Sequence, residues 1–147
     1  MDPNWIAGID TFIFDCDGVL WRGSHLIPGA KKTLAYLRVL GKKILFVTNN
    51  ATKSRRAYLQ KFKELDLEAH LVIPCPLVHM TMFSYFIRQN EVFGSAYAAA
   101  YYMKHALQFP ADKKVYVIGM EGMTEELDEQ GISYVGAMVN YLSLFGQ

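Results

Sequence analysis

Ile9-Asp10-Thr11-Phe12-Ile13-Phe14-Asp15-Cys16-Asp17-Gly18-Val19-Leu20-Trp21 is the stretch whose reading decides the fold. A run of β-branched and aromatic residues ends in two carboxylates one residue apart, followed at once by glycine. Ile9, Phe12, Ile13 and Phe14 do not alternate with polar residues, so the pattern predicts a strand buried on both faces, as in a parallel sheet. Asp15 and Asp17 then fall just past its carboxyl end, where open α/β sheets bind their ligands. Asp and Gly are also common turn formers, so the same residues read as a solvated turn. A calcium loop of the EF-hand type fails: it needs glycine at about position 6 and glutamate at about position 12. Here Gly18 comes too early and Leu26 stands where the glutamate would be.

The remaining composition narrows the function classes. A chain of 147 residues with 52% apolar and 20% charged residues suits one globular domain with a real core. A net charge of +1 and the lack of a long basic run give no footprint for nucleic acid. Two cysteines, Cys16 and Cys75, make no disulfide framework and fit a reducing compartment. Met1-Asp2-Pro3-Asn4-Trp5 lacks the layout of a signal or transit peptide, so the expected location is cytoplasmic.

Outward from the carboxylates, Pro28 suits a first helical turn, Ala30, Leu34 and Leu37 recur at helical spacing, and Gly41 is the expected C′ residue. Lys43-Ile44-Leu45-Phe46-Val47 predicts a second buried strand, again ending in polar residues, Thr48-Asn49-Asn50. Thr52 or Ser54 can cap the next helix, whose apolar face is Tyr58, Leu59, Phe62 and Leu65. This βαβα order predicts a parallel sheet with right-handed crossovers. Residues 69–87 contain no Asp, Glu, Lys or Arg. Their length approaches the roughly 20 apolar residues of a membrane span, but two prolines and two histidines favour a strand or loop followed by a helix from Leu77 to Ile87. His25, His70, His79 and His105 are scattered without metal spacing. Farther on, Ser95 can cap a helix from Ala96 to Gln108, and Lys114 to Gly119 predicts a third strand. Thr124 can cap a short acidic helix closed by Gly131, Ile132 to Val135 predicts a fourth strand, and an apolar tail follows.

If the strands ending at Asp15 and Thr48 lie side by side, their ends offer two carboxylates, a hydroxyl and two amides. That set suits phosphoryl transfer. Asp15 can attack phosphorus to form an aspartyl-phosphate. Asp17 can protonate the leaving oxygen and then activate water. Mg²⁺ would bridge carboxylate and phosphate. Thr48 and Asn49 would hydrogen-bond the equatorial oxygens, where transition-state charge is spread. Thr48-Asn49-Asn50 also reads as a plain turn and helix cap.

Asp15-Cys16-Asp17-Gly18-Val19-Leu20-Trp21 and Phe46-Val47-Thr48-Asn49-Asn50-Ala51-Thr52-Lys53-Ser54-Arg55 resemble the first two motifs of the haloacid dehalogenase superfamily, in particular its phosphoglycolate phosphatase / 4-nitrophenyl phosphatase branch. Glu91 to Ala100 and Lys113 to Gly119 resemble the plant members of that branch. The resemblance implies a Rossmann-like α/β core with a parallel sheet. It implies Asp15 as nucleophile, Asp17 as acid/base, and Thr48 with Asn49 as phosphate binders. Mg²⁺ would be held by Asp15 and the backbone carbonyl of Asp17. The implied substrate is a small phosphomonoester, with 2-phosphoglycolate favoured.

Departures from the family are equally specific. Members are about twice as long, with a cap domain and a second stretch of core that supplies a lysine and a Gly-Asp…Asp motif. Nothing after Gly136 matches these, so the expectation is a partial core over residues 1–136, with 69–90 an atypical insertion and 137–147 an unmatched tail. The Asp15 strand should then be an edge, with marginal stability, weaker metal affinity and little turnover. Three functions follow: a Mg²⁺-dependent phosphatase; an inactive remnant that binds phosphate or a partner, as a homo-oligomer or by pairing with a full-length relative; and a sugar transferase using Asp15 and Asp17 for a metal–nucleotide complex.

Overall fold

The computed structural model describes residues 5–67, 69–71, 83–85 and 89–136. In chain order its elements are β1 (Thr11–Asp15), β2 (Trp21–Arg22), β3 (His25–Leu26), α1 (Ala30–Val39), β4 (Lys43–Thr48), α2 (Arg55–Glu64), β5 (Ala69–Leu71) and β6 (Phe83–Tyr85). A 3₁₀ turn at Gln89–Glu91 leads to β7 (Val92–Gly94), α3 (Ser95–His105), β8 (Val115–Val117), α4 (Glu121–Gln130) and β9 (Tyr134–Gly136). The chain divides into two compact units, Met1–Val47 with Leu59–Val92, and Thr48–Tyr58 with Phe93–Gln147. The division passes through β4, α2 and β7.

The expected parallel sheet is present. β1 and β4 run parallel with Thr11 opposite Lys43 and Asp15 opposite Val47, in a three-stranded sheet of order β1-β4-β7. β1 is its edge among the described residues, as expected of the Asp15 strand. Burial on both of its faces is not found, and here the sequence reading is corrected. Phe12 and Phe14 are half-buried, and Phe14 packs against Phe46 with centroids 6.4 Å apart. Ile13, on the alternate face with Thr11 and Asp15, is 67% exposed. A strand with one neighbour alternates its side chains like any other, and no described element covers that second face.

In the first unit the core gathers around α2. Phe62 is fully buried, 5.1 Å from Trp21 and 4.7 Å from Phe46 by ring centroids. Leu34 and Leu37 give α1 its buried side. Gly41 ends α1 at φ +68°, where L-residues are disfavoured, with its N–H and that of Lys42 donating back to Arg38 and Leu37. Arg38 forms a two-armed ion pair with Glu91, both arms 2.6 Å. In the second unit Ala100, Val117, Leu127 and Ile132 make the core between α3, α4 and the parallel pair β8–β9. The α4 end repeats the Gly41 device at Gly131, φ +67°.

Several expectations require correction. Phe83–Tyr85 is a strand paired antiparallel with Ala69–Leu71, not the end of a helix from Leu77; the rest of that span lies outside the described residues, as does the tail. Paired backbone hydrogen bonds there override the apolar run's helical spacing. Among the described residues no helix is long and apolar enough to cross a membrane. α3 starts at Ser95, with Gly94 as its cap, and stops at His105 rather than Gln108. Thr124 lies inside α4, its hydroxyl donating to the Glu121 carbonyl at 2.9 Å. β7 was not foreseen: three residues are too few to show a period. Because Phe62 lies between Trp21 and Phe46, Phe62→Ala should lower the unfolding free energy by about 3–5 kcal/mol, read by urea denaturation.

Candidate functional site

The turn after β1 is built on one carbonyl. Cys16 C=O accepts from the Leu20 N–H at 2.9 Å, and the Gly18 N–H donates to the Trp21 carbonyl at 2.7 Å. Gly18 takes φ +88°, and an added Cβ would meet nothing within 4 Å. Backbone conformation, not space, therefore selects glycine there. The turn leaves Asp15 and Asp17 exposed and Cys16 fully buried between them.

The two carboxylates have different surroundings. Asp15 Oδ1 accepts from the Cys16 N–H at 2.7 Å. Asp17 Oδ1 accepts from the Trp21 indole N–H at 2.6 Å and lies 3.5 Å from Lys61 Nζ. That ammonium also stands 4.3 Å from the Trp21 ring centroid, a cation–π geometry. One oxygen of Asp17 is thus engaged from two elements, while among the described residues Asp15 has one bond, to its own neighbour. Burial, then the charges of Asp15 and Asp17, push the Cys16 thiol from 9.0 up to about 12, with Lys61 acting in the opposite sense.

Thr48, Asn49 and Asn50 belong to the second unit and are held there separately. Thr48 Oγ1 lies 2.9 Å from the Tyr58 hydroxyl and accepts from the Asn50 N–H at 3.2 Å. Asn49 is exposed, and its carbonyl accepts from Ser95 Oγ at 3.0 Å. Asn50 Oδ1 accepts from the Thr52 N–H and hydroxyl. Of the two expected caps, Ser54 serves α2 by accepting from the Ala57 N–H at 3.2 Å. Ser54 also donates to Glu125. The Arg55 N–H donates to fully buried Glu126 at 2.6 Å, and the Arg55 guanidinium lies 3.6 Å from the Tyr97 ring centroid. Gly122 packs so closely on Lys53 that a Cβ would fall 2.5 Å from its backbone.

Asp15 and Asp17 are therefore together in one turn. Thr48 follows Val47, the register partner of Asp15, and Asn49 comes next in the chain. Sequence reasoning assigned no role to Lys61, Trp21, Glu126 or the Tyr58 hydroxyl. Tyr58 was visible only as an apolar face position, and Ser95 as a cap it does not make.

Among the described residues no group of three or more His, Cys, Asp or Glu side chains is arranged so that it could hold a metal ion. The turn carries hard oxygens, among them the Asp15 carboxylate and the Asp17 backbone carbonyl. Oxygens of this kind fit the chemistry of Mg²⁺, which keeps several waters and takes one or two carboxylates plus substrate phosphate.

A family model described as haloacid dehalogenase-like hydrolase matches residues 12–133. The chain is 45% identical over 131 residues to phosphoglycolate phosphatase 1A, chloroplastic, of Arabidopsis thaliana, covering 89% of this chain and 31% of that protein. It is 44% identical over 133 residues to 4-nitrophenylphosphatase of Schizosaccharomyces pombe, covering 90% of this chain and 39% of that protein. Glycerol phosphate phosphatase of Mycobacterium tuberculosis, solved in complex with magnesium, is similar in structure with a TM-score of 0.64 and 25% identity, over 86% of this chain and 32% of that one. The chain thus spans about a third of the length of the relatives it matches.

The Cys16 environment makes a prediction. Above about pH 9 the unfolded chain loses this proton while the folded chain keeps it, so stability falls as pH rises toward about 12. The slope due to Cys16 should approach about 1.4 kcal/mol per pH unit. Urea unfolding of wild type and Cys16→Ala between about pH 9 and about pH 11 should show it as a difference that shrinks with rising pH.

Proposed function

We propose a Mg²⁺-dependent phosphomonoester hydrolase chemistry for this chain, which belongs to the haloacid dehalogenase-like hydrolase family. The observation that carries the proposal is the turn at the carboxyl end of β1, with two exposed carboxylates in unlike surroundings. Asp15 keeps a carboxylate oxygen that accepts no hydrogen bond among the described residues, as an attacking group requires. Asp17 is anchored through one oxygen by Trp21 and Lys61, which suits a group that must give and take a proton at a fixed position.

In the proposed reaction an Asp15 oxygen attacks phosphorus, the ester P–O bond breaks, and Asp17 protonates the departing alkoxide. Asp17 then takes a proton from water. The water oxygen attacks phosphorus, the P–O bond to Asp15 breaks, and inorganic phosphate leaves. Thr48 and Asn49 are the proposed phosphate-binding residues. Asp15 and the Asp17 carbonyl would hold Mg²⁺, which would supply charge neutralisation between anionic nucleophile and anionic substrate. The relatives named phosphoglycolate phosphatase and 4-nitrophenylphosphatase support a small phosphorylated metabolite as substrate, 2-phosphoglycolate foremost. A cytoplasmic setting, inferred from the two cysteines, is part of the same reading.

A second reading has its own observation. Among the described residues β1 is a sheet edge with Ile13 67% exposed, a surface suited to strand addition by a partner chain. Hydrolysis of 2-phosphoglycolate and 4-nitrophenyl phosphate by the purified chain, with and without Mg²⁺, separates the two. The expected result is Mg²⁺-dependent turnover that falls at least about a thousandfold in Asp15→Asn. Turnover untouched by Asp15→Asn overturns the mechanism, and a folded chain without turnover favours the binding role.

A further inference from the structure

Lys61 is carried to the carboxylate turn by α2, whose next residue, Phe62, is fully buried against Trp21. Its ammonium stands 4.3 Å from the centre of the Trp21 ring and 3.5 Å from Asp17 Oδ1. The Lys61 side chain is 16% exposed, unlike an ordinary surface pair such as Lys31–Asp66, at 45% and 73%. Asp17 Oδ1 also accepts from the Trp21 indole N–H at 2.6 Å. One oxygen is thus held by two donors, one of them a full positive charge. A carboxylate that grips a cation through both oxygens must give up such contacts. Ca²⁺ takes about six to eight oxygens and often a two-oxygen carboxylate grip, whereas Mg²⁺ keeps several waters and needs one or two carboxylates.

We propose that Lys61 is a positioning residue for metal choice: by holding Asp17 Oδ1 it denies the bound cation a two-oxygen carboxylate grip and so favours Mg²⁺ over Ca²⁺. This rests on the reading of the turn as a Mg²⁺ site and adds what selects the ion. The ammonium acts in two ways. Its charge opposes any dication at the turn, a Coulomb penalty that both ions share. Its hold on Oδ1 costs more to the ion that needs both oxygens. Asp15 is not held by a cation in this way among the described residues, where its bond comes from the Cys16 N–H. The two acids of the turn are therefore unequal toward a metal, and the Asp17 side chain is the one kept back.

The test is titration of the isotope-labelled chain with magnesium chloride and with calcium chloride, followed by two-dimensional NMR. It compares wild type, Lys61→Met, Lys61→Arg, Asp17→Asn and the Lys61→Met/Asp17→Asn double variant. Lys61→Met keeps an apolar stem against Trp21 and removes the charge. It should tighten Mg²⁺ about two- to fivefold and Ca²⁺ at least about tenfold. Lys61→Arg keeps the charge and should bind both ions like wild type. In the Asp17→Asn background, Lys61→Met should leave the ratio of the two affinities unchanged. Trp5 and Trp21 are the two tryptophans, and the Trp21 indole N–H signal reports on its bond to Asp17. Mg²⁺ should leave that signal nearly in place in wild type, and Ca²⁺ should move it in Lys61→Met. Equal tightening of both ions in Lys61→Met is a bulk charge effect and overturns the selection role. Unchanged or weaker binding by Lys61→Met, or Lys61→Arg behaving like Lys61→Met, overturns it too, and wild-type Mg²⁺ binding then leaves the metal reading standing. No Mg²⁺ binding by wild type overturns the metal reading and this inference with it.

Discussion

Phe62 is the contact on which the first unit depends. It is fully buried on α2 and touches both Trp21, at the end of the carboxylate turn, and Phe46, in the middle of β4. The helix, the strand and the turn thus share one aromatic junction. Aromatic side chains bury large areas and meet with preferred geometry, so the junction fixes orientation as well as stability. Lys61, the preceding residue on α2, is delivered by the same packing to the face of Trp21 and the edge of Asp17. The placement of Asp17 is a consequence of core packing.

The carboxylate turn balances opposed electrostatic demands. Two acids in three residues would repel each other, and both stay exposed, where water screens them. The residue between them points inward, and a buried thiol beside two negative charges stays protonated. Lys61 stands 3.5 Å from Asp17 and gives the turn a positive neighbour without adding a ligand.

In the second unit the segment after β4 is held by polar contacts. Tyr58, Ser95, Glu125 and Glu126 each bind it at a different point, and Gly122 lets α4 approach its backbone. Buried polar groups of this kind must be fully paired to be stable. A loop so tied can present main-chain and hydroxyl donors in one arrangement, which anion binding requires.

The local elements were legible in the sequence wherever apolar spacing and end signals agreed. β1, α1, β4 and α2 are of that kind, because Leu34, Leu37, Tyr58 and Phe62 repeat at helical intervals and Gly41 closes its helix. The positions of Asp15, Asp17, Thr48 and Asn49 were legible because each lies at or just past the carboxyl end of a strand. By itself the sequence determined that the strands ending at Asp15 and Thr48 run parallel. Tertiary structure decided the rest: that Ile13 faces outward, that Phe83–Tyr85 pairs as a strand, and that Ser95 holds a carbonyl instead of capping. Lys61 meets Asp17 across 44 residues, and Ser95 meets Asn49 across 46. Such pairings depend on helix phase and on which faces a neighbour covers. Local propensity carries no record of either.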